Sequence, residues 1–344
     1  MRSLEEMLAL EDADEVADLY REAYRVKLEH IGAKVSVRGL IEAGNICAKD
    51  CFYCGIRKSN AKVRRYQLSE DDIVRLAEQS KRFGYVSVVI QSGEIESEAH
   101  TMSIERVLKR LAALDLGVTL SLGEQEPDVY KRWRDAGAAR YLLRIETANE
   151  ELYRKLHPAN HSWRRRLECL RTLRKLDYQV GTGVMCALPG ETVKDLADSI
   201  RFFRDEDVDM IGMGPYIPHP DAPLEGVKPM TKAERLTWGL KMIAATRLTL
   251  PQVNIAAATA LQALADDGRE QGILAGANVI MPNVTDVEYR ANYQLYAGKP
   301  CLNENAGLCR SCLDRRLSAI GEKILYGERG DSLRYFERCK NAQR

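Results

Sequence analysis

Along the chain, short runs of β-branched and aliphatic residues alternate with longer stretches in which apolar positions recur every three or four residues. That alternation predicts parallel strands joined by crossover helices. The runs at 35–41, 86–91, 118–122, 140–144, 180–185, 210–213, 254–257 and 278–281 read as strands. Helical patterns fill 70–82, 103–114, 128–136, 162–175, 193–205, 232–246 and 268–274, the first opened by Ser69 as a capping candidate. Gly84, Gly117, Gly137 and Gly276 end or follow helices and lead into strands, as expected where a left-handed residue stops a helix. Eight such units predict an α/β fold: a closed (β/α)8 TIM-type barrel over 35–283, preceded by a helical segment, 1–34, and followed by a capping extension, 284–344. An open doubly wound sheet is the rival, but it commonly carries a glycine-rich phosphate turn after its first strand, which is absent here.

Composition narrows the class. The 344 residues suit a single barrel, and 45% apolar content fills a large core. A net charge of +1 gives no bulk attraction to nucleic acid or to an anionic membrane, although Arg164, Arg165 and Arg166 form a local basic patch. The first residues are acidic and helical in pattern rather than basic and then apolar, and no apolar run approaches a bilayer span. The nine cysteines fall into two triplets plus Cys169, Cys186 and Cys339, which is no disulfide framework. The expectation is a cytoplasmic enzyme with reduced thiols and a small-molecule substrate. Cys169 and Cys186 lie inside helical and strand patterns and read as small buried hydrophobes.

The chemistry concentrates in CAKDCFYC, where Cys47, Cys51 and Cys54 follow the first predicted strand. A barrel places function in such loops. Thiols at this spacing wrap three corners of a cubane cluster and supply no fourth ligand. A cluster held by four cysteines only passes electrons, whereas one held by three leaves an iron open to a ligand that reacts. A zinc site and three unrelated core cysteines are the alternatives. Zinc usually needs a further Cys/His pair nearby, and His30 and His100 stand at no recognisable ligand spacing.

The C-x3-C-x2-C spacing resembles that of the radical S-adenosylmethionine (SAM) enzymes. Strings at successive predicted barrel ends extend the likeness over roughly 35–312 to the HydE-type FeFe-hydrogenase maturases, in the biotin synthase and methylornithine synthase group. They are IEAGNICAKDCFYCGIR (41–57), QSGE (91–94), TLSLGE (119–124), YLLRIETAN (141–149), LPGET (188–192), GMGPYIPHPDAPL (212–224), GANVIMPN (276–283) and YQLYAGKPC (293–301). The resemblance implies a [4Fe-4S] cluster on Cys47, Cys51 and Cys54 whose open iron chelates SAM, and cleavage to methionine and a 5′-deoxyadenosyl radical. It further implies a small cysteine-derived organometallic iron substrate in hydrogenase H-cluster assembly, the maturases HydG and HydF as partners, and an electron donor such as ferredoxin or flavodoxin. Rearrangement of a free amino acid, as in methylornithine synthase, and a non-catalytic iron–sulfur scaffold remain open.

Residue roles follow from the same likeness. Glu94 matches the acceptor for the SAM amino group, Glu146 the acceptor for both ribose hydroxyls, and Arg166 the guanidinium holding the SAM carboxylate, with Arg164 and Arg165 left on a solvated helix face. Tyr53 matches the residue beside the adenine. Gly212 and Gly214 let the backbone approach the adenosine, and Ile280 and Met281 form an apolar wall against it. Arg144, Thr259, Tyr289, Tyr293 and Tyr296 match substrate-cavity positions. A buried arginine needs an anion, which is either a substrate carboxylate or an internal partner, Glu146 or Glu124. Two departures touch the substrate end only: Ala258 stands where the pattern has a first threonine of a pair, and Ile145 where it has histidine. The second triplet, Cys301, Cys309 and Cys312, matches an accessory surface iron–sulfur cluster set apart from the SAM site. Zinc competes there, with Cys339 a distant fourth ligand.

Overall fold

The computed structural model describes residues 2–228, 230–304 and 306–342. Seven parallel strands form one curled sheet, in spatial order Asn254–Ile255, Met210–Ile211, Gln179–Thr182, Ala138–Leu142, Gly117–Ser121, Ser87–Ser92 and Gly39–Gly44. The eighth, Val279–Ile280, joins the two edges. Asn278 N donates to Ile255 O and Ala257 N to Val279 O (2.9 Å each) on one side, while Arg38 N donates to Ile280 O (3.0 Å) and Leu40 N to Pro282 O (2.8 Å) on the other. The first strand is therefore one strand interrupted at Arg38 into Lys34–Val37 and Gly39–Gly44. All eight expected strands are present in order. Both faces of such a sheet are covered, which is why Ser87–Ser92 is buried at nearly every position rather than at alternate ones.

Capping chemistry fixes the helices. Ser69 Oγ accepts from Asp72 N at the start of Glu70–Arg82, and reciprocal capping boxes open Val193–Asp205 (Thr192 with Asp195) and Lys232–Thr249 (Thr231 with Glu234). Gly84, Gly137 and Gly276 take the expected positive φ, but before Gly117 the left-handed residue is Asp115, at 54°. The sequence pattern starts the helix Glu98–Ala112 five residues late, because its first turn is polar; Ser97 is its cap.

Residues 329–332 seal the barrel at the N-terminal ends of the strands. The buried Arg140 donates to Arg329 O (2.8 Å) and Asp331 (3.1 Å), Gln179 donates to Asp331 (2.6 Å), and Arg38 and Asn254 both donate to Gly330 O. With that end closed, the interior opens at the C-terminal ends. Outside the barrel, Lys323–Leu325 pairs with Lys34–Val37. The helix Ala13–His30 is tied there by an ion pair between Lys27 and Glu322, whose side chains are both fully buried. No described helix is long and apolar enough to cross a membrane.

Removing one partner of a buried pair strands the other charge. Lys27→Met is expected to destabilise the protein by about 3–5 kcal/mol, read as a lowered urea midpoint. Lys27→Met combined with Glu322→Leu recovers most of that loss. An unchanged midpoint in the single variant contradicts the assignment.

Candidate active site at the barrel mouth

The loop after the first strand is held over the strand ends by its own main chain. Asn45 N donates to Tyr66 O (3.1 Å), Ala48 N to Glu94 O (2.7 Å), Phe52 N to Leu156 O (2.9 Å) and Gly55 N to Leu295 O (2.9 Å). Arg65 reaches into its concave side and donates to the carbonyls of Asn45 (2.7 Å), Ile56 (2.7 Å) and Arg57 (2.6 Å). The close approach to the second strand requires Gly93, where a Cβ would collide with the Ile46 carbonyl. So held, Cys47, Cys51 and Cys54 all face a cavity of about 350 Å³ in the barrel mouth. Burial pushes all three thiols above their ordinary range.

Beside the thiols stands a network of Lys49 and Arg166 with Glu94 and Glu124, and the exposed Glu96 lies 3.6 Å from Lys49 at its rim. Lys49, between Cys47 and Cys51, lies 2.9 Å from Glu94 Oε1 and 3.4 Å from Glu124 Oε2. Arg166 donates from Nε to Glu124 Oε1 (2.7 Å) and from Nη1 to Arg144 O (3.1 Å), and its Nη2 is 3.9 Å from Glu94 Oε2. Burial pushes the Glu94 carboxyl above its usual range, against the pull of Arg166. Burial acts on Glu124 in the same sense, but Arg166 and Lys49 outweigh it and hold Glu124 below. Glu94 Oε1 is in ion-pair contact with Lys49 without hydrogen-bond alignment. Gly123 is required opposite it: φ is 79°, and a Cβ would strike the Glu94 carboxylate.

Glu146 sits at the end of the fourth strand with φ of 68°, a left-handed backbone that costs a non-glycine residue about 1–3 kcal/mol. Its N–H donates to Gly183 O and its carbonyl accepts from Met185 N (3.0 Å each), which keeps the strained residue in place. Its Oε2 is buried without a hydrogen-bond partner and lies 3.1 Å from Arg144 Nη2. Arg144 therefore meets an internal carboxylate, one of the two partners open to it from sequence, while a third of its side chain remains exposed to the cavity.

Tyr53, Gly212, Gly214, Met281, Thr259, Tyr293 and Tyr296 also line this cavity. Tyr293 accepts from Gln91 Nε2 (3.1 Å). Two expected residues do not. Ile280 is fully buried in the hydrophobic core, because adjacent strand residues point to opposite faces and Met281 takes the inner one. Tyr289 lies on the short helix Val287–Arg290 and packs on Tyr66, ring centroids 4.9 Å apart, outside the cavity. Arg164 and Arg165 pair with Glu150 and Glu126 on the surface. Ala258 is the N-cap of Thr259–Leu264 and gives it no side-chain bond, so the departure from threonine leaves that turn uncapped. Ile145 is core.

The second triplet is nearer than expected. Cys301 has φ of 61° and lines the same cavity, with Arg269 Nη2 3.9 Å from its sulfur. Cys312 is half-buried on the helix Ala306–Ala319 and does not line it. Cys309 is on the same helix, and its side chain lies outside the described residues. Sequence reasoning missed Lys49 and the pair His157 and His161. The signal for Lys49 was its place inside the thiol run; for the histidines, about 100 residues downstream of Cys51, spacing carries no signal.

The radical SAM superfamily profile matches residues 41–203. The chain is 42% identical over 322 residues to the hydrogenase maturase subunit HydE of Thermotoga maritima, covering 93% of this chain and 90% of that protein. It is 27% identical to 3-methylornithine synthase of Methanosarcina acetivorans over 84% of this chain and 82% of that one. Among solved structures, methylornithine synthase aligns with a TM-score of 0.81 at 25% identity, covering 94% and 93% of the two chains. HydG of Carboxydothermus hydrogenoformans aligns at 0.78 and 17% identity, covering 94% of this chain and 75% of that one, a likeness of fold.

The network yields a contrast in stability. Glu124→Gln leaves buried Arg166 without its charged acceptor and is expected to cost about 3–5 kcal/mol. Glu126→Gln, which removes the exposed partner of Arg165, changes stability by less than about 1 kcal/mol. Parallel denaturant titrations read the difference, and equal losses contradict it.

Proposed function

The chain belongs to the radical SAM superfamily and is an enzyme of it, and from that premise we propose that it is a HydE-type maturase working on a small cysteine-derived organometallic iron species during assembly of a hydrogenase H-cluster. Membership implies a [4Fe-4S] cluster and SAM as cofactors. The observation that carries the residue-level reading is the convergence of three half-buried cysteines with carboxylate oxygens on Glu94 and Glu146 that have no hydrogen-bond partner, all facing one cavity. The donor set fits the group. When bound, the cluster supplies the electron that splits SAM into methionine and a 5′-deoxyadenosyl radical.

In this reading Cys47, Cys51 and Cys54 ligate three irons. Glu94 accepts the SAM amino group, and it already faces a donor of that kind in the Lys49 ammonium. Arg166, held rigid by Glu124, presents its guanidinium to the SAM carboxylate. Glu146 accepts the ribose hydroxyls, and Tyr53, Gly212, Gly214 and Met281 enclose the adenosine. Leu142, Leu143, Met185 and Leu295 supply apolar lining to the cavity and would keep water from it when the cofactor is bound.

Further in, Arg144, Arg269, Lys299, Thr259, Tyr293 and Tyr296 form a cationic and aromatic pocket for an anionic substrate. Lys299 is paired with buried Glu42 and Arg144 with Glu146, but Arg144 keeps a third of its side chain exposed, so Arg144 and Arg269 are the cations that meet the ligand. Residues 35–283 are the catalytic barrel, 1–34 its helical flank and 284–344 its cap. Cys301, Cys309 and Cys312 hold the second iron–sulfur cluster. HydG and HydF, with ferredoxin or flavodoxin as electron donor, are the partners in a cytoplasmic setting. The greater identity to HydE than to methylornithine synthase favours the maturase over a free-amino-acid mutase.

Anaerobically reconstituted protein given reductant and SAM is expected to release 5′-deoxyadenosine and methionine, and Cys51→Ala to release neither. Glu146→Ala is expected to weaken SAM binding about 10–100-fold, the loss of a charged hydrogen bond or two. Cleavage accelerated by a cysteine-bound iron complex supports the maturase; acceleration by free amino acids alone contradicts it.

A further inference from the structure

His157 and His161 stand beside Cys51, and neither lines the cavity. We propose that the cluster-free protein holds one divalent cation of borderline softness, such as iron(II), between Cys51 Sγ, His157 Nε2 and His161 Nδ1, with a fourth position open to water.

One ligand atom from each of the three residues lies within 4.8 Å of the other two. A tetrahedral ion with bonds of about 2.0–2.3 Å brings its ligands to about 3.5 Å, a contraction within reach of rotation of the Cys51 and His161 side chains toward a fixed His157. The tautomer of His157 is fixed by its surroundings. Nδ1 is 2.9 Å from the carbonyl of Tyr153, which can only accept, so Nδ1 carries the proton and Nε2 presents its lone pair. An imidazole whose other nitrogen donates to a main-chain carbonyl is the usual second-sphere arrangement of a metal-ligating histidine. The ring cannot turn away, because it stacks on Tyr153 (centroids 3.8 Å apart) and meets the edge of Tyr53 at 5.4 Å. His157 is 2% exposed, and both its Nε2 and His161 Nδ1 are buried without a hydrogen-bond partner. A buried imidazole nitrogen left unsatisfied is costly unless something occupies the space before it.

One thiolate and two imidazoles select iron(II), cobalt(II) or zinc(II) over magnesium or calcium. Binding displaces the Cys51 thiol proton to solvent, and no electron moves. The loop carrying Cys51 is already joined to the histidine segment through the bond from Phe52 N to Leu156 O, so the site needs no rearrangement of the main chain. Cys51 is also a cluster ligand in the preceding reading, so the two occupancies exclude each other and the site is a landing place for the first iron. That last step rests on the cluster reading; the cation site does not.

Cobalt(II) titration of the metal-free, reduced full-length protein tests it, followed by the thiolate-to-cobalt charge-transfer and tetrahedral ligand-field bands. One equivalent is expected that Cys51→Ser, His157→Gln and His161→Ala each weaken by about tenfold or more, and that Cys47→Ser retains. His161 is only half-buried, so its variant reports even where His157→Gln misfolds. An equivalent lost in Cys47→Ser and kept in both histidine variants assigns the cobalt to the three-thiol loop and overturns the proposal, as does a titration in which neither histidine variant loses an equivalent; cobalt taken up at Cys301, Cys309 and Cys312 is identified separately by its loss in Cys312→Ser. Protein already carrying the cluster is expected not to take up this equivalent. Uptake there that still depends on the two histidines keeps the cation site and overturns the role of Cys51 in the cluster instead.

Discussion

The Arg65 guanidinium gathers carbonyl oxygens from both ends of the thiol loop, and the arrangement of the barrel mouth depends on that clamp. A loop crossing the open end of a barrel exposes main-chain acceptors that must be satisfied without a neighbouring strand. Here one side chain from the segment preceding the helix Glu70–Arg82 does so, while the loop's own N–H groups donate to the carbonyls of Glu94, Leu156 and Leu295 from three directions. The loop consequently has one shape. Its three sulfurs are placed by that backbone geometry, and Cys47 Sγ also accepts from Glu94 N (3.4 Å), which suits ligands that must meet a preformed inorganic core.

The second constraint is charge balance. A site excluded from water tolerates ionised groups only in pairs, and the mouth carries Lys49 and Arg166 against Glu94 and Glu124, with Arg144 against Glu146 and Lys299 against Glu42. Each carboxylate proposed to touch SAM is oriented by a cation before the ligand arrives, and each keeps an oxygen free of hydrogen bonds. Donors and acceptors held in this way need no reorganisation when charge develops, and that is how a rigid barrel assists chemistry that a cofactor performs. The sealed far end, where Arg140 and Arg38 meet the 329–332 segment, leaves the mouth as the route in.

Much of this was legible in sequence because strands buried on both faces appear as apolar runs, and because the thiols are adjacent along the chain. The same double burial concealed the facing of individual residues. Where Ile280 and Met281 are both apolar, no alternation tells which points inward, and the structure gives the cavity to Met281. Tyr289 was misplaced for a different reason: it belongs to a single helical turn, too short to show a period, and tertiary packing on Tyr66 decides its side. Lys49 reads in sequence as a solvated residue between two ligands, since its three acidic neighbours come from other strand ends. His157 and His161 approach Cys51 only through the fold.

The central claim is a cluster held by three thiolates whose fourth corner accepts SAM. The electron paramagnetic resonance spectrum of the reduced, reconstituted protein tests it directly. The account predicts a [4Fe-4S] signal whose shape changes when SAM is added, in the wild-type protein and in a variant lacking Cys301 and Cys312 alike. A signal indifferent to SAM, or one that vanishes with the second triplet, contradicts it.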